Sequence, residues 1–309
     1  MLDIFLKTLP FFAIIGLGYV SGRTRFFTAE ATAYLTKFVF YFALSAMLFL
    51  FAATLDMGEV LDWNFIAAYF SATMAVYVVA TIVAYARGRN TAEAAVEAQC
   101  AVIGNVGFLG IPMLALLLGE AAIAQIIIVL SVDLIVFGSL IVILITGSRD
   151  GRMSLGILRT VGLGLLKNPM IVSIAAGLIW SRFDLPVPTP VEEFLSILGA
   201  AATPGALFAI GASLATAAAT RMGDAVTISV FKLLIHPAAV AIAALMIFPV
   251  EPYAAGVMIA AASLPVAGNV YILAEHYGVA PTRVSASILL STAVSIITVS
   301  AVIAYVTTL

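Results

Sequence analysis

The sequence predicts an all-α polytopic membrane protein whose ten transmembrane helices form two inverted five-helix repeats, with the fourth and ninth helices broken. Three observations carry this. The chain is too apolar to cover itself with a water-facing surface. Its apolar runs are divided by short loops whose charge alternates in sign. Two clusters of helix-breaking residues fall at matching places in the two halves.

Of 309 residues, 63% are hydrophobic and 10% charged, where a soluble domain carries about 25% charged residues. Mean hydropathy is +1.19. Net charge is −2, with no basic patch or charged tail, which argues against nucleic acid as a partner. The single cysteine, Cys100, excludes an intrachain disulfide framework and a cysteine metal cluster within one chain. No Gly-x-Ser-x-Gly, His-Glu-x-x-His or phosphate loop occurs, so the chain does not read as an enzyme.

Apolar runs of about 20 residues are long enough to span a bilayer. Ten are expected: 3–21, 31–53, 64–86, 95–118, 122–146, 168–183, 193–217, 224–248, 253–276 and 283–307. The first has no basic leader, since Asp3 precedes Lys7, and it contains Pro10, so it reads as a retained span rather than a signal peptide. Residues 1–146 then make the first repeat, 147–167 a cytoplasmic loop and 168–309 the second repeat.

Lysine and arginine in the loops set the orientation. Arg23, Arg25, Arg87, Arg89, Arg149, Arg152, Arg159, Lys167, Arg221 and Arg283 follow the odd-numbered spans, against only Lys7 and Arg182 on the other side. That other side is acidic, with Asp56, Glu59, Asp62, Glu120, Asp184, Glu192, Glu193 and Glu251. The bias places both termini outside, on the periplasmic face of a bacterial inner (plasma) membrane.

An odd number of spans per half makes the halves enter from opposite sides, so related halves form an inverted repeat. Four short identities each pair a span with the one five later: Lys7-Thr-Leu-Pro10 with Lys167-Asn-Pro169, Ser45-Ala-Met-Leu-Phe49 with Pro204-Gly-Ala-Leu-Phe208, Gly104-Asn105-Val106 with Gly268-Asn269-Val270, and Leu130-Ser131 with Leu290-Ser291.

The breaks come next. Span four reads Gly104-Asn-Val-Gly-Phe-Leu-Gly-Ile-Pro112, and span nine holds Ser263-Leu-Pro265-Val-Ala-Gly268-Asn269. Proline costs ~3 kcal/mol in a helix interior and glycine ~1. A broken helix frees backbone groups that lipid cannot satisfy, and interrupted spans at corresponding positions point to a transporter binding site. Half-helix N-termini suit a carboxylate, and Asn105 and Asn269 add donors and acceptors at that depth. The expected binding set is Gly104, Asn105, Gly107, Gly110, Pro112, Pro265, Gly268 and Asn269. The competing reading is close helix packing at the glycines and a simple kink at Pro112.

Asp133, mid-span in the fifth segment, needs a partner or a purpose. Lys232 and His236 share a helix face. These three are the candidates for ion coupling, by a proton or sodium. The bland alternatives are a structural carboxyl for Asp133, a Lys232 that snorkels to the interface and a His236 that satisfies a carbonyl freed by Pro237. Ser131, Ser291, Thr292 and Ser295 read as packing hydroxyls.

The stretch Asn105-Val-Gly-Phe-Leu-Gly-Ile-Pro112 resembles the Asn-…-Met-Gly-Ile-Pro stretch of the auxin efflux carrier family. Leu264-Pro265 followed by Ala274-Glu-His-Tyr277 resembles that family's ninth helix, and Lys232-Leu-Leu-Ile-His-Pro237 its eighth. The resemblance spans the whole chain. The family includes plant auxin exporters and bacterial carriers of malonate, malate and similar acids. It implies the fold of bile-acid sodium symporters and sodium/proton antiporters, with helices four and nine crossing near the midplane. Helices one, two, six and seven would form a scaffold that makes a homodimer, and the other six an elevator-type transport domain. Asn105 matches the asparagine that helps hold the substrate carboxylate, and Pro112 and Pro265 match the crossover prolines. Val270 replaces a second proline of the plant carriers, and the third span, 65–84, lacks their ionisable residues near the site. The inter-repeat loop is short. These departures favour a small organic acid over auxin.

The function expected is secondary active transport of a small mono- or dicarboxylate such as malonate or malate, with no cofactor beyond a coupling ion. The rivals are an uncoupled facilitator or channel and a non-transporting sensor or assembly subunit.

Overall fold

The computed structural model describes residues 2–55, 62–150, 155–215 and 222–309. The described residues are helical almost throughout, and their one β-feature is a single bridge between Gly104 and Val266. Thirteen helices follow in order, which we number α1 (Leu2–Arg23), α2 (Ala29–Ala53), α3 (Trp63–Ala86), α4 (Thr91–Val102), α5 (Val106–Leu118), α6 (Ala122–Ser148), α7 (Leu155–Lys167), α8 (Pro169–Arg182), α9 (Thr189–Leu214), α10 (Met222–Ile247), α11 (Pro252–Ala262), α12 (Gly268–His276) and α13 (Pro281–Val306).

Seven of these, α1, α2, α3, α6, α9, α10 and α13, are long and apolar enough to cross a membrane. Their bounds fall within a few residues of the corresponding expected segments. The fourth and ninth segments are each two short helices either side of a break, and the sixth is the short α8. Apolar side chains point outward all around, among them Leu17 (61% exposed), Ile82 (60%), Met246 (80%) and Ile297 (71%). Such a belt suits hydrocarbon, not water.

Helix starts follow local chemistry. Asp62 accepts from the amides of Asn64 and Phe65 at 2.8 and 3.2 Å. Asn90 accepts from Glu93 N–H at 2.9 Å, and Glu251 from Ala254 N–H at 2.9 Å. Each satisfies a first-turn donor that has no partner within its helix.

The segment 147–167, expected as a loop, is helical from Leu155 to Lys167. Val161 and Leu165 turn one face inward, while Leu158, Arg159 and Leu166 stay exposed. That amphipathic pattern lets the segment pack between α6 and α8. It bends 73° into α8 at Asn168, where Pro169 disfavours helical geometry in the preceding residue. Asn168 Oδ1 caps the new helix through Met170 N–H at 3.0 Å.

The helices pack as two groups. In one, α1 lies on α9, and α2 on α8 and α9. Glycines make these contacts close: a Cβ added at Gly211 would overlap the Ile15 carbonyl oxygen, and one at Gly18 that of Phe208. In the other group, α3 packs on α4 and α10, α11 on α6, α10 and α13, and α10 on α13. The groups meet chiefly where α1 touches α13 and α9 touches α5.

The second group is tied by buried charge. Arg283 Nη1 reaches Glu97 at 2.5 Å and its Nη2 reaches Glu93 at 3.1 Å. Arg89 bonds Glu97 at 3.0 Å and Asp224 at 2.8 Å, and Arg87 also pairs with Asp224. Arg87, Arg89 and Arg283, counted above as loop charges, are therefore matched by three carboxylates that join the starts of α4, α10 and α13. Glu97, placed by the sequence near the start of a lipid-crossing run, is buried in this cluster. Asp56, Glu59, Arg152 and Arg221, on which part of the charge bias rests, lie outside the described residues.

Candidate functional site

The two breaks meet. Residues 103–105 run antiparallel to 265–267: Asn105 N–H donates to Pro265 O at 2.8 Å, and Ala267 N–H to Ile103 O at 3.1 Å. The backbone groups freed by breaking one span are thus met by the other, as burial demands. Ser291 of α13 holds the second strand, accepting from Val266 N–H at 3.1 Å. Its role is structural support for the break, more specific than the packing expected of it.

Four helix ends converge here. The C-termini of α4 and α11 bring carbonyls and partial negative charge, and the N-termini of α5 and α12 bring partial positive charge. No side chain caps the first turn of α5 or α12.

Lys232 meets the carbonyl ends. Its side chain is fully buried. Nζ donates to Ala262 O, the last carbonyl of α11, at 2.5 Å and lies 3.2 Å from His236 Nδ1. Snorkelling to the interface is excluded, because the ammonium already has acceptors inside. His236 does not serve a carbonyl freed by Pro237; its Nε2 pairs with Thr73 Oγ1 of α3 at 3.1 Å. Asp133 accepts from Tyr69 of α3 at 2.8 Å, and the Tyr69 ring stands edge-on to that of His236, 6.1 Å between centroids. Asp133 and Lys232 lie within range of each other's charge. The three candidate coupling residues therefore belong to one buried network. Both Asp133 and Lys232 sit in π-helical turns, 133–137 and 231–235, a distortion common at functional sites. The third span, lacking ionisable groups in the expectation above, supplies the network's Tyr69 and Thr73.

Two cavities flank α12. The first, about 280 Å³, is lined by Asn105, Gly268, Tyr271, Ser285 and Thr292, together with Ile210 and Ser213 of α9, so both helix groups build it. Among the described residues, no charged side chain lines it. The second, about 300 Å³, is lined by Gln99, Asp133, Asn168, Asn269 and His276. Between them lies a space of about 10 Å³ bounded by Gly104, Asn105, Gly107, Asp133 and Asn269, no more than one water needs. The asparagines thus face opposite cavities and meet only in that space. Gly110, Pro112 and Pro265 line neither cavity: Gly110 packs against Leu264, Pro112 starts the straight part of α5, and Pro265 supplies the carbonyl that pairs with Asn105.

Asn105 Oδ1, Asn269 Oδ1, Asp133 Oδ2 and Gln99 Oε1 are all buried without a hydrogen-bond partner. Buried polar groups normally have partners, so these oxygens are the candidate ligand contacts. Gln99, like Glu97, escaped notice in the sequence. Both interrupt the alanine-rich run Ala94-Ala95-Val96-Glu97-Ala98-Gln99, and a polar residue at such depth is the signal that would have found them.

Residues 3–303 match the family described as Membrane transport protein. The chain belongs to the auxin efflux carrier family. This carrier is also 29% identical, over 299 residues, to a Rhizobium meliloti (strain 1021) protein named "Putative malonate transporter", the match covering 94% of this chain and 92% of that protein. Both strands of the carrier's crossover, 103–105 and 265–267, lie within the matched region.

Proposed function

We propose that this carrier is a secondary active transporter of a small organic anion, a mono- or dicarboxylate such as malonate, held at the crossover in the first cavity. One observation carries the reading: Asn105, only 5% exposed, borders a cavity walled by both helix groups beside two uncapped helix N-termini. Backbone N–H groups there offer a carboxylate hydrogen bonds without a cationic side chain. Asn105 contributes its side-chain amide N–H to the same anion, and Gly268 leaves room beside it, since a Cβ there would meet nothing within 4 Å. The named relative supports malonate as the first substrate to try.

The reading includes an elevator. The group of α3–α6 and α10–α13 moves against α1, α2, α8 and α9, carrying the crossover past the fixed wall of Ile210 and Ser213. Different means of cohesion in the two groups, and the restricted zone where they touch, support this. Ten spans in two inverted repeats, a homodimer through the α1–α2–α8–α9 group and outside termini in a plasma membrane belong to the same proposal. Asp133, Lys232 and His236 form the coupling network.

The test is counterflow of radiolabelled malonate into proteoliposomes, wild type against Asn105→Ala. A hydrogen bond to a charged group contributes about 1.5–3 kcal/mol, so the variant is expected to lose roughly ten- to a hundredfold in uptake at low substrate. Equal uptake by both proteins would displace the site from Asn105. Uptake that only equilibrates malonate, with no accumulation under any ion gradient, would favour the facilitator.

A further inference from the structure

We infer that the second cavity is a binding site for a monovalent cation, sodium, with Asp133 Oδ2, Gln99 Oε1 and Asn269 Oδ1 as its ligands. This deepens the transport reading by naming the coupling ion and separating its site from the substrate's.

The three oxygens line one cavity and none has a hydrogen-bond partner. Asp133 and Gln99 are each only 2% exposed. All three are acceptors, so their natural complement carries positive charge or several donors. A proton on Asp133 makes a single donor, which satisfies one acceptor, whereas a metal ion takes several oxygen ligands. Carboxylate and amide oxygens are hard ligands. One carboxylate with two neutral amides supplies at most one negative charge, part of it offset by Lys232, so a divalent ion would be left under-neutralised. Discontinuous transporter helices bind sodium in comparable oxygen-rich settings.

The neighbouring charges fit this assignment. Lys232 is committed to Ala262 O and His236, and its charge reaches Asp133, so it weakens the attraction for a second cation without occupying the cavity. His276, which also lines the cavity, is exposed. Binding is therefore expected in the millimolar range, from which a coupling ion leaves readily. Tyr69 holds Asp133 through Oδ1 alone, which keeps Oδ2 free. The first cavity, with no charged side chain, takes the anion on the other face of α12. The two ligands thus sit on either side of one short helix and share the crossover.

The experiment uses purified full-length protein without any organic anion. Melting is followed as sodium chloride replaces choline chloride at constant ionic strength. Wild type is expected to gain melting temperature saturably, with half-saturation at millimolar sodium. Gln99→Met keeps every charge and removes one ligand. Asp133→Asn keeps the oxygen that accepts from Tyr69. Each is expected to raise the half-saturating concentration at least tenfold, and Gln99→Met alone decides if Asp133→Asn fails to fold. No gain as sodium replaces choline, or a sodium response unchanged by the substitutions, overturns the site. Malonate counterflow run in parallel keeps the two readings apart. An intact sodium response without counterflow removes malonate and leaves the cation site standing; counterflow without a sodium response does the reverse.

Discussion

Lys232→Met is expected to cost about 3–5 kcal/mol of stability and to abolish transport. The substitution keeps most of the side-chain volume, so packing alone predicts little effect. What it removes is the donor on Ala262 O and the positive charge within reach of Asp133. A buried carboxylate without its counter-charge is far more expensive than no carboxylate at all. Adding Asp133→Asn should therefore restore much of what Lys232→Met loses, because the pair then departs together. The thermal midpoints of wild type, both single variants and the double variant form a cycle that isolates this coupling. Strictly additive losses would mean that Lys232 acts only through Ala262 O and that the charges do not sense each other.

Gly211→Ala is expected to lower the melting temperature by roughly 5–10 °C, corresponding to about 3 kcal/mol at the upper end of ordinary overpacking. The added methyl carbon overlaps the Ile15 carbonyl oxygen, which is backbone and cannot rotate away. α1 and α9 must separate, and the reciprocal approach of Gly18 to Phe208 is lost with them. Gly16→Ala, on the same α1, is the control: a Cβ there has nothing within 4 Å, and alanine is the better helix former by about 1 kcal/mol. It should leave the melting temperature level or slightly raised. A Gly211→Ala protein as stable as wild type would mean that the two helices are not held at this distance.

Much of this architecture was legible in the sequence because bilayer thickness imposes a length on apolar runs. The segments 31–53, 64–86 and 122–146 correspond to helices Ala29–Ala53, Trp63–Ala86 and Ala122–Ser148. The breaks at Gly104–Pro112 and Ser263–Asn269 were legible too, since glycine and proline act locally. Pairings were not. Nothing in Lys232 distinguishes a lysine that reaches the interface from one that caps α11, because the difference lies in where Ala262 sits. The Arg283–Glu97 pair joins residues far apart in the chain, and hydropathy counted Arg283 as a solvated loop charge. Tyr69 was overlooked because an aromatic residue in a span is ordinarily packing, and its hydroxyl acquires meaning only beside Asp133. The helix α7 was missed because two basic residues and three glycines in 155–167 look like a loop until its inner face finds α6 and α8.

The meeting of the two breaks bears on how the chain is assembled in a cell. Ile103 and Asn105 emerge during synthesis long before Pro265 and Ala267, their backbone partners. Until the second half arrives, the first carries unpaired peptide groups that hydrocarbon cannot solvate. The fourth span must therefore linger near water or the insertion machinery, and membrane integration of the first half is complete only when the second has been made. Each half expressed alone should be recognised as unfinished and cleared by quality control, and the two expressed together from separate messages should protect one another.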